Sequence, residues 1–176
     1  MKYIGIIPAR YASSRFPGKP LAEICGKPMI QRVYEQASKV LDTVIVATDD
    51  QRIYDCVKAF GGRVYMTSAE HRCGTDRICE AYQLYRDSLP NTLDNETVVV
   101  NIQGDEPFIQ PSQLEAIKAC FEDETTQIAT LVKPFTPEDG FAALENVNSP
   151  KVVVNKNMNA LYFSRSIIPY QRNAEK

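Results

Sequence analysis

The sequence holds 176 residues, 44% hydrophobic and 24% charged, the composition of an ordinary soluble globular chain long enough to bury a substantial core in one domain. Twenty lysines and arginines against 22 aspartates and glutamates leave a formal charge of −2, which argues against a surface given over to nucleic acid or to an anionic membrane; any basic site must be local. Five cysteines without a CxxC pair, beside a single histidine, suggest neither a disulfide framework nor a zinc site, and no apolar stretch approaches the roughly 20 residues that span a bilayer, so a cytoplasmic protein is expected.

Along the chain, the apolar run from Tyr3 to Ile7 reads as a buried strand that breaks at Pro8. Pro28 then precedes Ile30, Val33, Tyr34, Ala37 and Leu41 at helical spacing, and Val44 to Ala47 forms the next strand. Asp49 and Asp50 can cap a helix that carries Ile53, Cys56, Val57 and Phe60 on one face; Gly61 and Gly62 stop it before a short strand from Val64 to Met66. A third helix starts near Thr75 and Asp76 with Ile78, Ala81, Tyr82 and Tyr85 inward, and the strand "TVVVNI" follows at 97–102. Pro111 opens a fourth helix with Leu114, Ile117 and Phe121 inward, and Ile128 to Val132 is expected as a further strand. Beyond Val132 a loop with about one helical turn leads to "KVVV" and "ALYFS", which flank Asn155 to Asn159 as a hairpin. Strand and helix in alternation predict an α/β fold with a largely parallel sheet and helices on both faces. Ligands of such sheets sit beyond the carboxyl ends of the strands, so the loops after Ile7, Ala47 and Ile102 are the ones to read for chemistry.

In the first of these loops, "IIPARYASSRFPGKPL", the cations Arg10, Arg15 and Lys19 stand among small residues, and Gly18 lets the backbone approach a ligand. Solvated loop cations and a polyphosphate site weigh equally on these residues alone; position after the first strand favours the second. No P-loop or dinucleotide fingerprint is present. In "NIQGDEPFI", Asp105 is placed to hold Mg²⁺, with Glu106 the weaker candidate and helix capping the plainer alternative for both. In "HRCGTDR" the start of a helix offers free N–H groups and Arg77 a planar fork for ring edges or phosphate, whereas His71 reads as structural. Cations together with a carboxylate-held Mg²⁺ suggest a nucleoside triphosphate site and phosphoryl or nucleotidyl transfer.

The stretches "IIPARYASSRFPGKPL", "GKPMI", "VATDD", "HRCGTDR", "VVVNIQGDEP" and "ALYFSRSIIP" stand in the order seen in the 3-deoxy-manno-octulosonate (Kdo) cytidylyltransferase family, which the chain resembles over nearly its whole length. The resemblance implies a Rossmann-like three-layer sandwich of the nucleotide-diphospho-sugar transferase type. It implies a single nucleotidyltransferase domain, with nucleotide-binding βα units at 1–132 and a hairpin and sugar-side segment at 133–176. The implied reaction transfers CMP from CTP to Kdo, with Mg²⁺ as cofactor, and releases pyrophosphate for lipopolysaccharide synthesis. By motif, Arg10 and Lys19 would bind the triphosphate with Ser13 nearby and Arg15 as a further candidate. Arg77 and Gln103 would face the nucleotide, Asp105 would hold Mg²⁺, and Arg165 would lie near the acidic sugar. Cys73 stands where the family usually has serine. The family continues past the position of Lys176 with sugar-binding residues, a second metal-binding aspartate and much of a homodimer contact, so the 176-residue chain is expected to lack that segment, to bind CTP weakly and to turn over poorly. A sialic acid type cytidylyltransferase and a non-catalytic nucleotide-binding module are the alternatives; a nucleic-acid binder is disfavoured, since the nine tyrosines are scattered and form no stripe with basic residues.

Overall fold

Side chains alternate along the first strand, and that alternation builds the layers. In the computed structural model, which describes residues 1–12, 16–89, 96–170 and 172, β1 spans Lys2–Ala9. Ile4 and Ile6 enter one core while Ile7 and Ala9 enter another on the opposite face of the sheet. Two short strands, β2 (Glu23–Ile24) and β3 (Lys27–Pro28), then pair across Cys25 and Gly26, both at positive φ, a hairpin that the periodicity does not reveal. Helix α1 (Met29–Ala37), β4 (Thr43–Thr48), α2 (Gln51–Ala59), β5 (Val64–Met66), α3 (Gly74–Asp87), β6 (Thr97–Asn101) and α4 (Pro111–Cys120) follow.

The four longer strands make a parallel sheet of order β5-β4-β1-β6. On one face Ile30, Val33 and Ala37 of α1, Ile53 and Val57 of α2 and Leu114 of α4 pack on Ile7, Val44, Val46 and Ile102; on the other, Ile78, Ala81 and Tyr85 of α3 pack on Ile4, Ile6, Ile45 and Ala47. Three layers result, with helices on both faces of a parallel sheet as the alternation predicts, Rossmann-like as the resemblance implies. Each fully buried isoleucine contributes about 2 kcal/mol. Gly5 makes the first core possible: a Cβ there would stand 2.6 Å from Leu41 Cδ1 and 2.9 Å from Ile102 Cδ1.

Two local expectations are corrected. β1 does not break at Pro8 but pairs through it with Ala47. The Ile6 carbonyl accepts the Ile102 N–H on the β6 side, and by alternation Pro8 faces that side too, where β6 has ended, so the missing N–H breaks no ladder bond. Ile128 to Val132 is not a strand: among the described residues it pairs with none, and Ile128 is 89% exposed; apolar content alone does not make a strand, whose backbone needs a neighbour to complete its hydrogen bonds.

Helix ends follow side-chain chemistry. Asp50 caps α2 by accepting the Arg52 N–H at 3.0 Å. Cys73 caps α3 through Sγ, which accepts the Asp76 N–H at 3.4 Å, so the thiol occupies the position where the resemblance expects a serine hydroxyl. Gln110 and Gln113 form a reciprocal box at the start of α4. Among the described residues no helix is long and apolar enough to cross a membrane.

Residues Met1–Ala129 form one compact unit and Thr130–Lys176 a second. In the second, a 3-10 turn at Pro137–Asp139 leads into a short α5 (Gly140–Glu145), then β7 (Lys151–Val154) and β8 (Ala160–Ser164) pair antiparallel. Their turn is the expected asparagine-rich one, with the roles divided. The Asn155 carboxamide oxygen accepts the Asn157 and Asn159 N–H groups, and Met158 takes the left-handed conformation at φ 64. Lys151 is 3% exposed, and its ammonium donates to the Asn146 and Arg165 carbonyls at 2.7 and 3.1 Å.

Candidate active site

The chain lays β1, β4 and β5 side by side in one direction, then returns across the opposite face through α3 to place β6 on the far side of β1. The winding therefore reverses between β1 and β6, and the loops that leave their carboxyl ends part there, the position at which open α/β sheets bind ligands. A cleft of about 430 Å³ lies at that point. Arg10, Ala12 and Lys19 line it from the β1 loop, Gln103, Gly104 and Asp105 from the β6 loop, and Gly74 from the first residue of α3.

The cleft's charged residues meet. Lys19 Nζ donates to Asp105 Oδ2 at 2.6 Å, with the two side chains 37% and 49% exposed. Such a half-exposed pair adds little to stability, about 0 to 1 kcal/mol, so its position matters more than its strength. Lys19 opens a 3-10 turn, Lys19–Leu21, which Gly18 enters at φ 71. A side chain at Gly18 would be strained in that conformation and would press on the Tyr11 ring, 3.0 Å from its Cβ position. Arg10 is exposed on the cleft rim and donates no hydrogen bond among the described residues. Gln103, exposed on the same rim, makes no side-chain hydrogen bond among the described residues either. Gly104 packs tightly: a Cβ on it would stand 3.1 Å from the Pro8 carbonyl oxygen.

Three expected residues fall elsewhere or outside. Ser13 and Arg15 lie outside the described residues. Arg77 does not present its guanidinium to the cleft. It is 1% exposed, donates to Thr67 Oγ1 and to Asp49 Oδ2 at 2.6 Å each, and is consumed by those partners. A buried guanidinium must be paired, and Asp49, expected as a helix cap, is the residue that pairs it. Thr67 in turn donates to the Thr48 carbonyl, so Arg77 ties the start of α3 to the ends of β4 and β5. Arg165 belongs to the second unit, where its guanidinium donates to the Val147 carbonyl at 2.7 Å.

The loop before α3 is tied down as well. Glu80 accepts the Ser68 N–H at 2.8 Å and contacts the His71 ring; the Ser68 N–H first, and then His71, hold its carboxyl below the usual range against the opposing effect of burial. Among the described residues no three His, Cys, Asp or Glu side chains gather as a metal site. A divalent metal in this cleft would draw on Asp105 and on ligand oxygens.

Sequence reasoning missed Gly104, Gly74 and the Asp49 to Arg77 pair. Gly104 was legible in principle as a small residue wedged between two cleft-lining side chains; the buried pair joins residues 28 apart and has no local signal.

The family model for cytidylyltransferases matches residues 4–176. The chain belongs to the cytidylyltransferase family. Its 176 residues are 72% identical to a 3-deoxy-manno-octulosonate cytidylyltransferase of Phocaeicola vulgatus, covering all of this chain and 67% of that protein, and 69% identical to one of Bacteroides thetaiotaomicron, covering 68% of it. A solved structure of CMP:2-keto-3-deoxy-manno-octonic acid synthetase complexed with CTP superposes at a TM-score of 0.84 with 45% identity, over the whole chain and 69% of its own. A cytidylyltransferase from Leptospira borgpetersenii, 24% identical with a TM-score of 0.59 over 73% of this chain and 52% of its own, shares the fold. This cytidylyltransferase chain thus spans about two thirds of the length of the curated relatives named here.

Proposed function

We propose that the chain carries the nucleotide site of a 3-deoxy-manno-octulosonate cytidylyltransferase, which transfers CMP from CTP to Kdo and so supplies an activated sugar for lipopolysaccharide. The observation that supports this most is the meeting of Lys19 and Asp105 at 2.6 Å in a switch-point cleft that Arg10 also lines.

The chemistry follows from charge. The Kdo anomeric hydroxyl oxygen bonds to the α-phosphorus of CTP, the bond from that phosphorus to the bridging oxygen breaks, pyrophosphate leaves, and the hydroxyl proton goes to solvent. Arg10 and Lys19 neutralise the triphosphate; each contact at roughly 4 Å and an effective dielectric near 20 is worth about 4 kcal/mol before desolvation is deducted. Lys19 and Asp105 hold each other in place until the nucleotide arrives, when Lys19 turns to phosphate and the carboxylate is released. One carboxylate beside phosphate oxygens is a sufficient donor set for Mg²⁺, which keeps several waters, and Asp105 Oδ1 carries no hydrogen bond among the described residues. When bound there, Mg²⁺ would supply a hard dication that offsets the charge of the phosphates. By motif, Gln103 donates to the nucleotide or sugar and Arg165 takes the sugar carboxylate as a bidentate partner. No covalent enzyme intermediate is required; orientation and charge neutralisation carry the rate. The working protein is a homodimer, which sedimentation of the purified protein tests.

Pyrophosphate release is the direct assay. With the full-length relative that carries these loops, CTP with Kdo is expected to yield product, whereas UTP, ATP or sialic acid in place of the matching substrate is expected to yield little; the 176-residue chain alone is expected to yield little with any of them. Equal release with sialic acid would reassign the sugar, and CTP binding without product from the full-length relative carrying these same loops would make the site a binding module.

A further inference from the structure

Tyr11 follows Arg10 directly, and Gly18 directly precedes Lys19, so these two residues form the base of the loop that the cleft cations Arg10 and Lys19 flank. The base is closed in two ways. The Gly18 N–H donates to the Tyr11 carbonyl at 2.9 Å, and the Tyr11 ring lies against Gly18 so closely that a Cβ would touch it. The same ring is also met from α2: the Arg52 guanidinium carbon sits over it, 3.3 Å from the ring centroid, a cation on an aromatic face. Arg52 is itself aimed. Its Nε and Nη2 donate to the two oxygens of Asp50 at 2.9 and 2.6 Å, and the Asp50 N–H donates to Thr48 Oγ1 at the end of β4. The bidentate bond to Arg52 also holds the Asp50 carboxyl below its ordinary range. A continuous chain of contacts thus runs from the rigid end of β4 through Asp50, Arg52 and Tyr11 to Gly18, one residue from Lys19.

We infer that Tyr11 and Arg52 act as positioning residues, a clasp that fixes the spacing of Arg10 and Lys19 in the cleft and thereby sets affinity for the nucleotide's polyphosphate. Neither residue touches the reacting atoms. The alternative for Arg52 is a solvated helix-surface cation, and its side chain is indeed 59% exposed. The bidentate bond and the stacking distance argue against that, since a free surface arginine has no cause to be held flat against a loop tyrosine. The inference rests on CTP occupying this cleft.

The test uses Arg52→Gln and Tyr11→Leu, which remove the stack, and Tyr11→Phe, which keeps the ring. Two readouts are taken on each: hydrogen exchange at the Gly18 amide, which needs no nucleotide, and CTP binding by calorimetry together with the split between CTP KM and kcat. Arg52→Gln and Tyr11→Leu are expected to speed Gly18 exchange and to raise the CTP dissociation constant and KM about tenfold, with kcat changed less than KM, while Tyr11→Phe stays near wild type. Arg52→Gln alters only an exposed side chain, so it remains informative if Tyr11→Leu fails to fold. Unchanged Gly18 exchange in Arg52→Gln, or faster exchange with unchanged CTP affinity, would overturn the clasp. Wild-type protein that shows slow Gly18 exchange yet binds no CTP would overturn the functional reading, and with it the clasp's role in nucleotide affinity.

Discussion

Lys19 and Asp105 are 86 positions apart and meet at 2.6 Å. Because each is half exposed, Lys19→Ala leaves a carboxylate that water can still solvate, so the fold survives and the loss falls on chemistry. The expected outcome is a fall in kcat/KM of about 10²- to 10³-fold with a melting temperature near that of wild type, read by pyrophosphate release and calorimetry. Arg77 predicts the reverse. With 1% exposure and two charged or hydroxyl partners, its replacement by alanine strands Asp49 and Thr67, and Arg77→Ala is expected to cost about 2 to 4 kcal/mol in urea denaturation. A stable Arg77→Ala protein with selectively lost CTP affinity would restore Arg77 to the nucleotide. The two cases also show what sequence makes legible. Arg10, Lys19 and Asp105 are readable because they follow strands of a parallel sheet, where loops are obliged to converge; the burial of Arg77 depends on partners 10 and 28 residues away, and no local pattern encodes it.

The elements set how much movement the site tolerates. The β6 loop approaches β1 at Gly104, where a Cβ would lie 3.1 Å from the Pro8 carbonyl, and backbone yields less readily than the end of a side chain. Gly104→Ala is therefore expected to shift Asp105 and to lower kcat/KM by about tenfold while costing about 1 kcal/mol of stability, measured by steady-state kinetics and thermal melts. At the start of α3, Glu80 binds the Ser68 N–H and His71. Its folded pKa is lowered, so its contribution is complete above the ordinary carboxylate value and is lost as pH falls through the lower folded value. Glu80→Gln should melt below wild type at pH 7, and the gap should close on acidification below pH about 4; a gap that persists in acid would contradict this. Helices and strands were legible here through period and caps, down to Asp50 on α2, because each core face follows from alternation along β1. Ile128 to Val132 differs from the expectation because apolar content alone does not specify a strand, which also needs a pairing partner.

At the scale of the molecule, a net charge of −2 coexists with a cationic cleft because the winding of the sheet gathers a few loop residues at one point, and screening over roughly 8 Å hides the rest from a ligand there. Family membership rests on residues 4–176 together, whereas the site rests on the geometry of the Met1–Ala129 unit. The central claim is that this cleft receives a nucleotide's polyphosphate with a metal at Asp105. Calorimetric titration of CTP into wild type and Asp105→Asn, each with and without Mg²⁺, tests it most directly. Mg²⁺ is expected to tighten CTP binding to wild type by at least about tenfold and Asp105→Asn to abolish this gain; an equal Mg²⁺ effect in both proteins would contradict a metal held at Asp105.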